Sequence, residues 1–240
     1  MATAIIIGAS SGIGREIAVQ LCARGFRVGV AARNQLLLKE LSETLGAGNC
    51  VVRDIDISKP DQVRDGLNTL RQALGSVDYV YLVAGTGFVN RELQYSLEEQ
   101  TVAVNCVGFA AVATMAVQIF REQGRGHLVA VTSVAAVRPS GEAPSYGASK
   151  AFGSSYVEAL RYWVARRRLP LFLTEVRPGF VDTAMMQAAK PFWVISPAEA
   201  AAGIIKAVDK QKRLVYIPSR WWFVAQLLKV IPDWLYTRMG

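Results

Sequence analysis

The chain of 240 residues reads as an α/β protein, a doubly wound parallel sheet in one domain. Three observations predict it. Short runs rich in Val and Ile alternate with amphipathic runs, the pattern of parallel strands joined by helices. The strand runs are apolar at nearly every residue, as strands covered on both faces are. A hydrophobic content of 52% suffices for one sizeable core. Right-handed crossovers then give a Rossmann-type architecture.

The elements follow in order. "TAIIIGA" reads as a buried strand, and "GREIAVQLCARG" as a helix with Ile17 and Leu21 inward. "RVGVAAR" is the next strand and "QLLLKELSETLG" the next helix. "CVVRDIDI" is a strand, and "PDQVRDGLNTLRQAL" a helix that Pro60 opens. "VDYVYLVAG" is a strand. "SLEEQTVAVNCVGFAAVATMAVQIFREQG" reads as one long, largely buried helix. "GHLVAVTS", "SYGASKAFGSSYVEALRYWVARR" and "LPLFLTEVRPG" read as strand, helix and strand, and "RLVYIP" as the last strand. The predicted domain covers residues 1–218, and an apolar, basic extension covers 219–240.

Composition excludes several chemistries. Three cysteines, Cys22, Cys50 and Cys106, are far apart and make neither metal spacing nor a disulfide framework. The single His127 disfavours histidine-based metal sites and triads. It reads as a surface residue at a strand start. No metal is expected. The N-terminus has no basic leader, and with the cysteine usage this leads us to expect a cytoplasmic protein. Net charge is +8, and seven basic against two acidic residues from Lys206 onward supply +5 of it. Arg166, Arg167 and Arg168 read as a solvated helix end, so no nucleic-acid partner is expected.

"GASSGIG" places Gly8, Gly12 and Gly14 between the first strand and the first helix. Glycines there allow a tight turn and close backbone approach, and the helix N-terminus receives a pyrophosphate. The end of the second strand selects the cofactor. An acid would hold a ribose 2′-hydroxyl, whereas a cation accommodates a 2′-phosphate. Arg33 stands 19 residues after Gly14 and no acid occupies that turn, which favours NADP(H). Asn34 can reach the same phosphate, and Arg15 is either a second partner or a solvated arginine. Further on, "SYGASK" puts Tyr146 and Lys150 one helical turn apart on one face, either a tuned proton donor and acceptor or an exposed helix start.

In this order and spacing the motifs resemble the short-chain dehydrogenase/reductase family over residues 4–205. "GASSGIG" resembles its phosphate turn, which brings Ser10, Ser11 and Ile13 into the expected cofactor contacts. "DIS" resembles the segment whose Asp56 and Ile57 meet adenine. "LVAG" stands where the family usually has N-N-A-G: Leu82 and Val83 replace two asparagines, while Ala84 and Gly85 still allow close approach. "VNCVG" carries Asn105, "VTSVAA" carries Ser133, and Tyr146 follows Ser133 by 13 residues, the family spacing. "RPGFVDT" resembles the turn that puts Pro178, Gly179, Val181 and Thr183 beside the nicotinamide.

The resemblance implies roles. Tyr146 would exchange the proton with the substrate oxygen, and Lys150 would lower its pKa and hold the nicotinamide ribose. Ser133 would polarise the substrate oxygen. Asn105 would anchor a water leading to Lys150. The implied activity is NADPH-dependent reduction of a carbonyl. The competing reading is a catalytically silent NADP(H)-binding sensor or scaffold.

Substrate contacts are expected from residues 87–89, 135–138 and Phe180, and from "AMMQAAKPFW", where Met185, Met186, Phe192 and Trp193 form an apolar lid. Arg138 reads as a solvated loop residue. The expected substrate is an apolar or lipid-linked carbonyl compound. The tail resembles those of short-chain reductases acting on polyprenyl-linked sugars or long-chain keto lipids. Its Trp-rich run from Trp221 to Leu235 requires cover, from protein or from the inner face of a membrane. The apolar helix around residues 102–119 predicts a homodimer or homotetramer.

Overall fold

The computed structural model describes residues 1–46, 48–186 and 191–238. Seven strands form one parallel sheet in the order β3-β2-β1-β4-β5-β6-β7. They are β1 (Thr3–Ile7), β2 (Arg27–Ala32), β3 (Cys50–Asp54), β4 (Tyr79–Leu82), β5 (Gly126–Val131), β6 (Leu171–Pro178) and β7 (Leu214–Ile217). The helices between them are α1 (Gly12–Ala23), α2 (Gln35–Leu45), α3 (Pro60–Leu74), α4 (Tyr95–Val102), α5 (Phe109–Gln123), α6 (Pro144–Arg166) and α7 (Pro197–Asp209). After β7 come α8 (Trp221–Val230) and α9 (Asp233–Tyr236).

Two apolar layers cover the sheet. On one face Leu67, Leu70, Val112, Ala116, Phe120 and Val157 pack onto Ile5, Val80 and Leu128. On the other, Ile17, Leu21, Leu38, Leu41, Ile204 and Val208 cover Ile6, Val28 and Val129. Burial of this kind is the main stabilising term of such a fold. Strand order reverses between β1 and β4 and opens a crevice at their carboxyl ends.

Three features differ from the sequence expectation. Residues 103–108 form a π-helical turn, so the long helix is two α-helical pieces joined by a wider one. α7 adds a helix that the strand pattern did not reveal, opened by a capping box between Ser196 and Glu199. His127 is not at the surface: it is buried in β5 with Nε2 2.8 Å from the Thr174 hydroxyl. Burial pulls its pKa down to about 4, so it stays neutral. The segment Tyr95–Gln123 is long and apolar enough to cross a membrane, yet the inner face of α5 packs against the sheet as a core helix does.

Candidate active site

The reacting groups gather beyond the carboxyl ends of β4 and β5. Ser133 follows β5, and Tyr146 and Lys150 stand in the first two turns of α6. α6 has no side-chain cap at Ala143. Glu98 of α4 serves instead, accepting the Ser145 N–H at 2.9 Å and the Asn90 side chain at 2.5 Å. The Asn90 bond leads in holding the Glu98 carboxyl below its usual range; burial opposes it and the Ser145 bonds reinforce it.

Ser133 accepts the Ala135 N–H at 3.1 Å and hydrogen-bonds the Tyr146 phenol. The phenol ring packs against Gly87, where a Cβ would stand 2.4 Å from the ring. Lys150 is buried, with Nζ 3.5 Å from the Val131 carbonyl and 5.7 Å from the centre of the Tyr146 ring. Desolvation brings its pKa down to about 8, against a small opposing effect of Cys106. Burial raises the phenol, and the Ser133 hydroxyl draws it partly back. This differs from the expectation that Lys150 lowers it. Both groups are desolvated together, and burial dominates.

Asn105 is buried in the π-helical turn. Its oxygen accepts the Thr86 N–H at 2.8 Å, and its nitrogen donates to the Thr86 carbonyl at 2.7 Å and to Ser149 Oγ at 3.0 Å. A Cβ on Gly85 would stand 3.1 Å from Lys150 Nζ and 3.3 Å from Asn105 Oδ1. Asn105 therefore faces Lys150 across Gly85, and it also pins the segment after β4 at Thr86. A residue with two donors and an acceptor is required there because Thr86 offers both a donor and an acceptor.

The remaining residues fit a dinucleotide. Gly8 has φ +94°, and a Cβ there would stand 2.6 Å from the Ala84 nitrogen. A Cβ on Gly14 would lie 2.1 Å from the Gly8 carbonyl. Only glycine lets these backbones approach. Ser11 precedes α1 without a side-chain cap bond, and its first turn has no acid. The turn formed by Ser10, Ser11, Gly12 and Ile13 thus presents backbone N–H groups suited to an anion. Thr183 closes over it, its Cγ2 3.0 Å from where a Gly12 Cβ would be. Pro178 ends β6, and Val181 bridges Ile195.

Arg33 is exposed at the end of β2 and makes no ion pair among the described residues. Asn34 has a second role: its side-chain oxygen caps α2 by accepting the Leu37 N–H at 3.1 Å, which leaves only its NH₂ for a phosphate. Arg15 is paired with Glu16 at 3.4 Å. Asp56 Oδ1 accepts the N–H and hydroxyl of Ser58 at 3.0 and 2.7 Å. Burial would raise the Asp56 carboxyl, but the Ser58 bonds, with Arg33 and Lys59, hold it below its usual range. Ile57 is buried with its carbonyl against Gly108.

Arg138 corrects its sequence reading. It is not solvated: it donates to the carbonyls of Leu228 and Ile231, pairs with Asp233, and stacks on Tyr236. Trp221 was not singled out as a site residue, yet it is buried against Gly179. Of the expected lid, residues 187–190 lie outside the described residues, and Phe192 stacks on Trp221 at 4.9 Å. A pair next to Thr132 was also missed: buried Glu175 accepts Thr132 Oγ1 at 2.9 Å and the half-buried Arg177 Nε at 2.7 Å.

A family model for the short chain dehydrogenase matches residues 2–192. An uncharacterized oxidoreductase of Myxococcus xanthus is 31% identical over 98% of this chain and 94% of its own. One from Mycobacterium tuberculosis is 28% identical over 95% and 91%. Among solved structures, an alcohol dehydrogenase of Thermococcus sibiricus complexed with 5-hydroxy-NADP is similar at a TM-score of 0.79 and 24% identity, over 90% of this chain and 95% of that one. A short chain dehydrogenase/reductase of Burkholderia phymatum in complex with NAD reaches 0.83 at 20% identity, over 94% and 92%. An actinorhodin polyketide ketoreductase with NADPH reaches 0.76 at 25% identity, over 85% and 89%. The fold and the match over most of the length define an oxidoreductase that works on alcohol or carbonyl groups. The chain belongs to the short-chain dehydrogenase/reductase family.

Proposed function

We propose that the protein is an NADPH-dependent reductase of apolar or lipid-linked carbonyl compounds. The observation that carries this reading is the convergence of Ser133, Tyr146, Lys150 and Asn105 around Gly85 and Gly87. The nicotinamide would supply the hydride. Tyr146 would deliver the proton to the substrate oxygen, and Ser133 would hold that oxygen by a hydrogen bond. Lys150 stands behind the ring to restore the proton and to meet the cofactor ribose. Asn105 keeps the segment after β4 in place beside it.

Arg33 supports NADPH, since its exposed guanidinium suits a 2′-phosphate. Relatives in the fold carry NAD as well as NADP forms, so this side chain and not the likeness supports the choice. One charge-assisted contact of about 1.5–3 kcal/mol corresponds to roughly a tenfold to hundredfold preference. Equal affinity for NADH and NADPH in a fluorescence titration would remove it. The apolar substrate class rests on the two loops that follow Ser133 and Pro178, whose Val134, Val137 and Phe180 are apolar and pack against Trp221. Turnover of a panel of long-chain aldehydes and keto lipids with NADPH tests it. Strict preference for small hydrophilic ketones would refute the class, and binding without any turnover would favour the silent sensor.

Two surfaces support assembly. Tyr95, Val102, Val107 and Phe152 are exposed on α4, the π-helical turn and α6, which suits a homodimer or homotetramer; light scattering tests it. Phe223, Leu227, Val230 and Trp234 form an exposed stripe on the extension, with Phe223 69% and Val230 73% accessible. Lys206, Lys210 and Lys212 line the groove beside Trp222 and Phe223. That combination suits an anionic membrane surface on the cytoplasmic side. Salt-sensitive sedimentation with phosphatidylserine vesicles is the expected result, and its absence removes the membrane contact.

A further inference from the structure

The extension lies against two loops that flank the reaction centre. The first follows β5 and runs through residues 133–139. The second follows β6 and begins at Gly179. Val134 and Val137 of the first and Phe180 of the second all pack against the cluster of Tyr216, Trp221 and Ala225.

Each loop has its own anchor. On the first, the Arg138 guanidinium takes the carbonyls of Leu228 and Ile231 at the end of α8, the Asp233 carboxylate at 2.5 Å, and the face of Tyr236 at 4.2 Å. Cations suit that position, where a helix presents its unsatisfied carbonyls. The Tyr236 hydroxyl donates to the Pro139 carbonyl at 3.1 Å. Pro139 in turn touches α6 beside the reacting phenol: a Cβ on Gly147 would be 2.7 Å from its Cα. On the second loop, Trp221 fills the space over Gly179, where a Cβ would stand 2.0 Å from the indole. It meets Phe180 edge-on at 5.3 Å and stacks on Phe192 at 4.9 Å. The Phe180 carbonyl and the Asp182 N–H pair with Ile195, so the aromatic side of this loop moves with its base.

We infer that Arg138 and Trp221 are positioning residues: through the extension they tie the Ser133 loop and the loop after β6 into one unit, which fixes the spacing between two walls of the substrate site. Neither residue touches the reacting atoms. Both act through neighbours, Arg138 on the segment that carries Ser133 and abuts Tyr146, Trp221 on the turn after Pro178. The cofactor's adenine and phosphate side, built on β1, β2 and β3, is not part of this clamp. The link to substrate rests on the reductase reading; the mechanical link between the loops does not.

Hydrogen exchange by mass spectrometry on the full chain tests the clamp. Arg138 sits on the first loop and bonds only the extension, yet the effect of Arg138→Ala is expected to cross over: amides of residues 179–186 exchange at least about threefold faster. Trp221→Ala is expected to do the same to residues 133–139. With NADPH and the best carbonyl compound from the panel, both variants should raise KM about tenfold or more, while NADPH affinity stays within about twofold. Trp221→Phe should restore most of this, because the indole N–H is buried without an acceptor among the described residues and only the aromatic wedge is needed. Arg138→Lys should not, because an ammonium cannot reproduce the planar fork. Exchange changes confined to the mutated residue's own loop would overturn the clamp, as would unchanged KM in both alanine variants. If no carbonyl compound is reduced by the wild type, the reductase reading fails and the exchange result alone judges the clamp. Should an alanine variant lose native circular dichroism, Arg138→Lys or Trp221→Leu, which lacks the aromatic wedge, gives the same cross-loop comparison.

Discussion

The sheet and the C-terminal extension hold themselves together by different means. In the sheet, helices bury continuous apolar faces: Leu67, Leu70, Val112, Ala116 and Phe120 on one side, Ile17, Leu21, Ile204 and Val208 on the other. In the extension only Trp221 and Ala225 are buried on α8, while Phe223, Leu227, Val230 and Trp234 face outward. Its attachment is local: one aromatic wedge, one guanidinium and one tyrosine hydroxyl. Area-based attachment tolerates the loss of any one contact better than attachment through three points. Stability therefore belongs to the sheet, and adjustability belongs to the extension.

The comparison is broken most sharply at the reaction centre. Tyr146→Phe keeps the ring against Gly87 and removes the transferable proton; turnover should fall about 10²–10⁴-fold, with melting temperature and NADPH affinity nearly unchanged. Steady-state kinetics beside a cofactor titration check it, and near-normal kcat would refute the proton donor.

Within the body, Glu175→Ala takes the carboxylate from the half-buried Arg177, which keeps Tyr216 and Ser154. A fully buried pair would cost about 3–5 kcal/mol to break; with Arg177 half-buried and still bonded, chemical denaturation should show a loss of about 1–3 kcal/mol. A loss under about 1 kcal/mol would mean that the pair is solvated and that burial is not what holds this end of the sheet.

A pH titration of stability sharpens the same point. His127 stays neutral until about pH 4 in the native state, against 6.5 when unperturbed. Between those values the unfolded chain binds a proton that the native chain does not, so stability falls as pH drops through that window. The loss should be on the order of 3 kcal/mol at about 1.4 kcal/mol per unit, and complete below pH 4. His127→Gln should flatten that part of the profile. An unchanged slope would assign the acid sensitivity to carboxylates instead.

The smallest effect is expected on the outer face of the extension. Leu227→Ser and Val230→Ser together should change unfolding free energy by about 0.5 kcal/mol or less, as exposed substitutions do. A larger loss would show that this stripe is covered in the native assembly and would extend body-like behaviour to the tail.

The same contrast governs what could be read from the sequence. The strands, the glycine turn, Arg33 and the Ser133, Tyr146 and Lys150 set were legible because their signals are local. Apolar runs, glycine spacing and a one-turn interval each fit in a short window. Arg138 was misread because its partners lie 90 to 95 residues away. His127 was placed at the surface because a strand start gives no hint that Thr174 and Phe172 cover it. The Glu175 and Arg177 pair sits two residues apart on one strand face, a spacing that would have suggested contact, but its burial depends on α6 and β7. α7 was missed despite a local signal: "SPAE" carries both halves of a capping box. The exact role of Asn105 needed the π-helical turn, which has no sequence signature in one chain.

That wider turn acts as a phase shifter in a helical shaft. Upstream of it, Glu98 faces the start of α6; downstream, Val112, Ala116 and Phe120 face the sheet. At 3.6 residues per turn, removing one residue would rotate everything beyond the cut by about 100°. Either Glu98 would lose α6 or Phe120 would lose the core. A chain that shortened this helix by one residue would have to choose between an aligned reaction centre and a filled interior, so the site and the fold constrain the length of this segment together, even where its individual side chains are free to change.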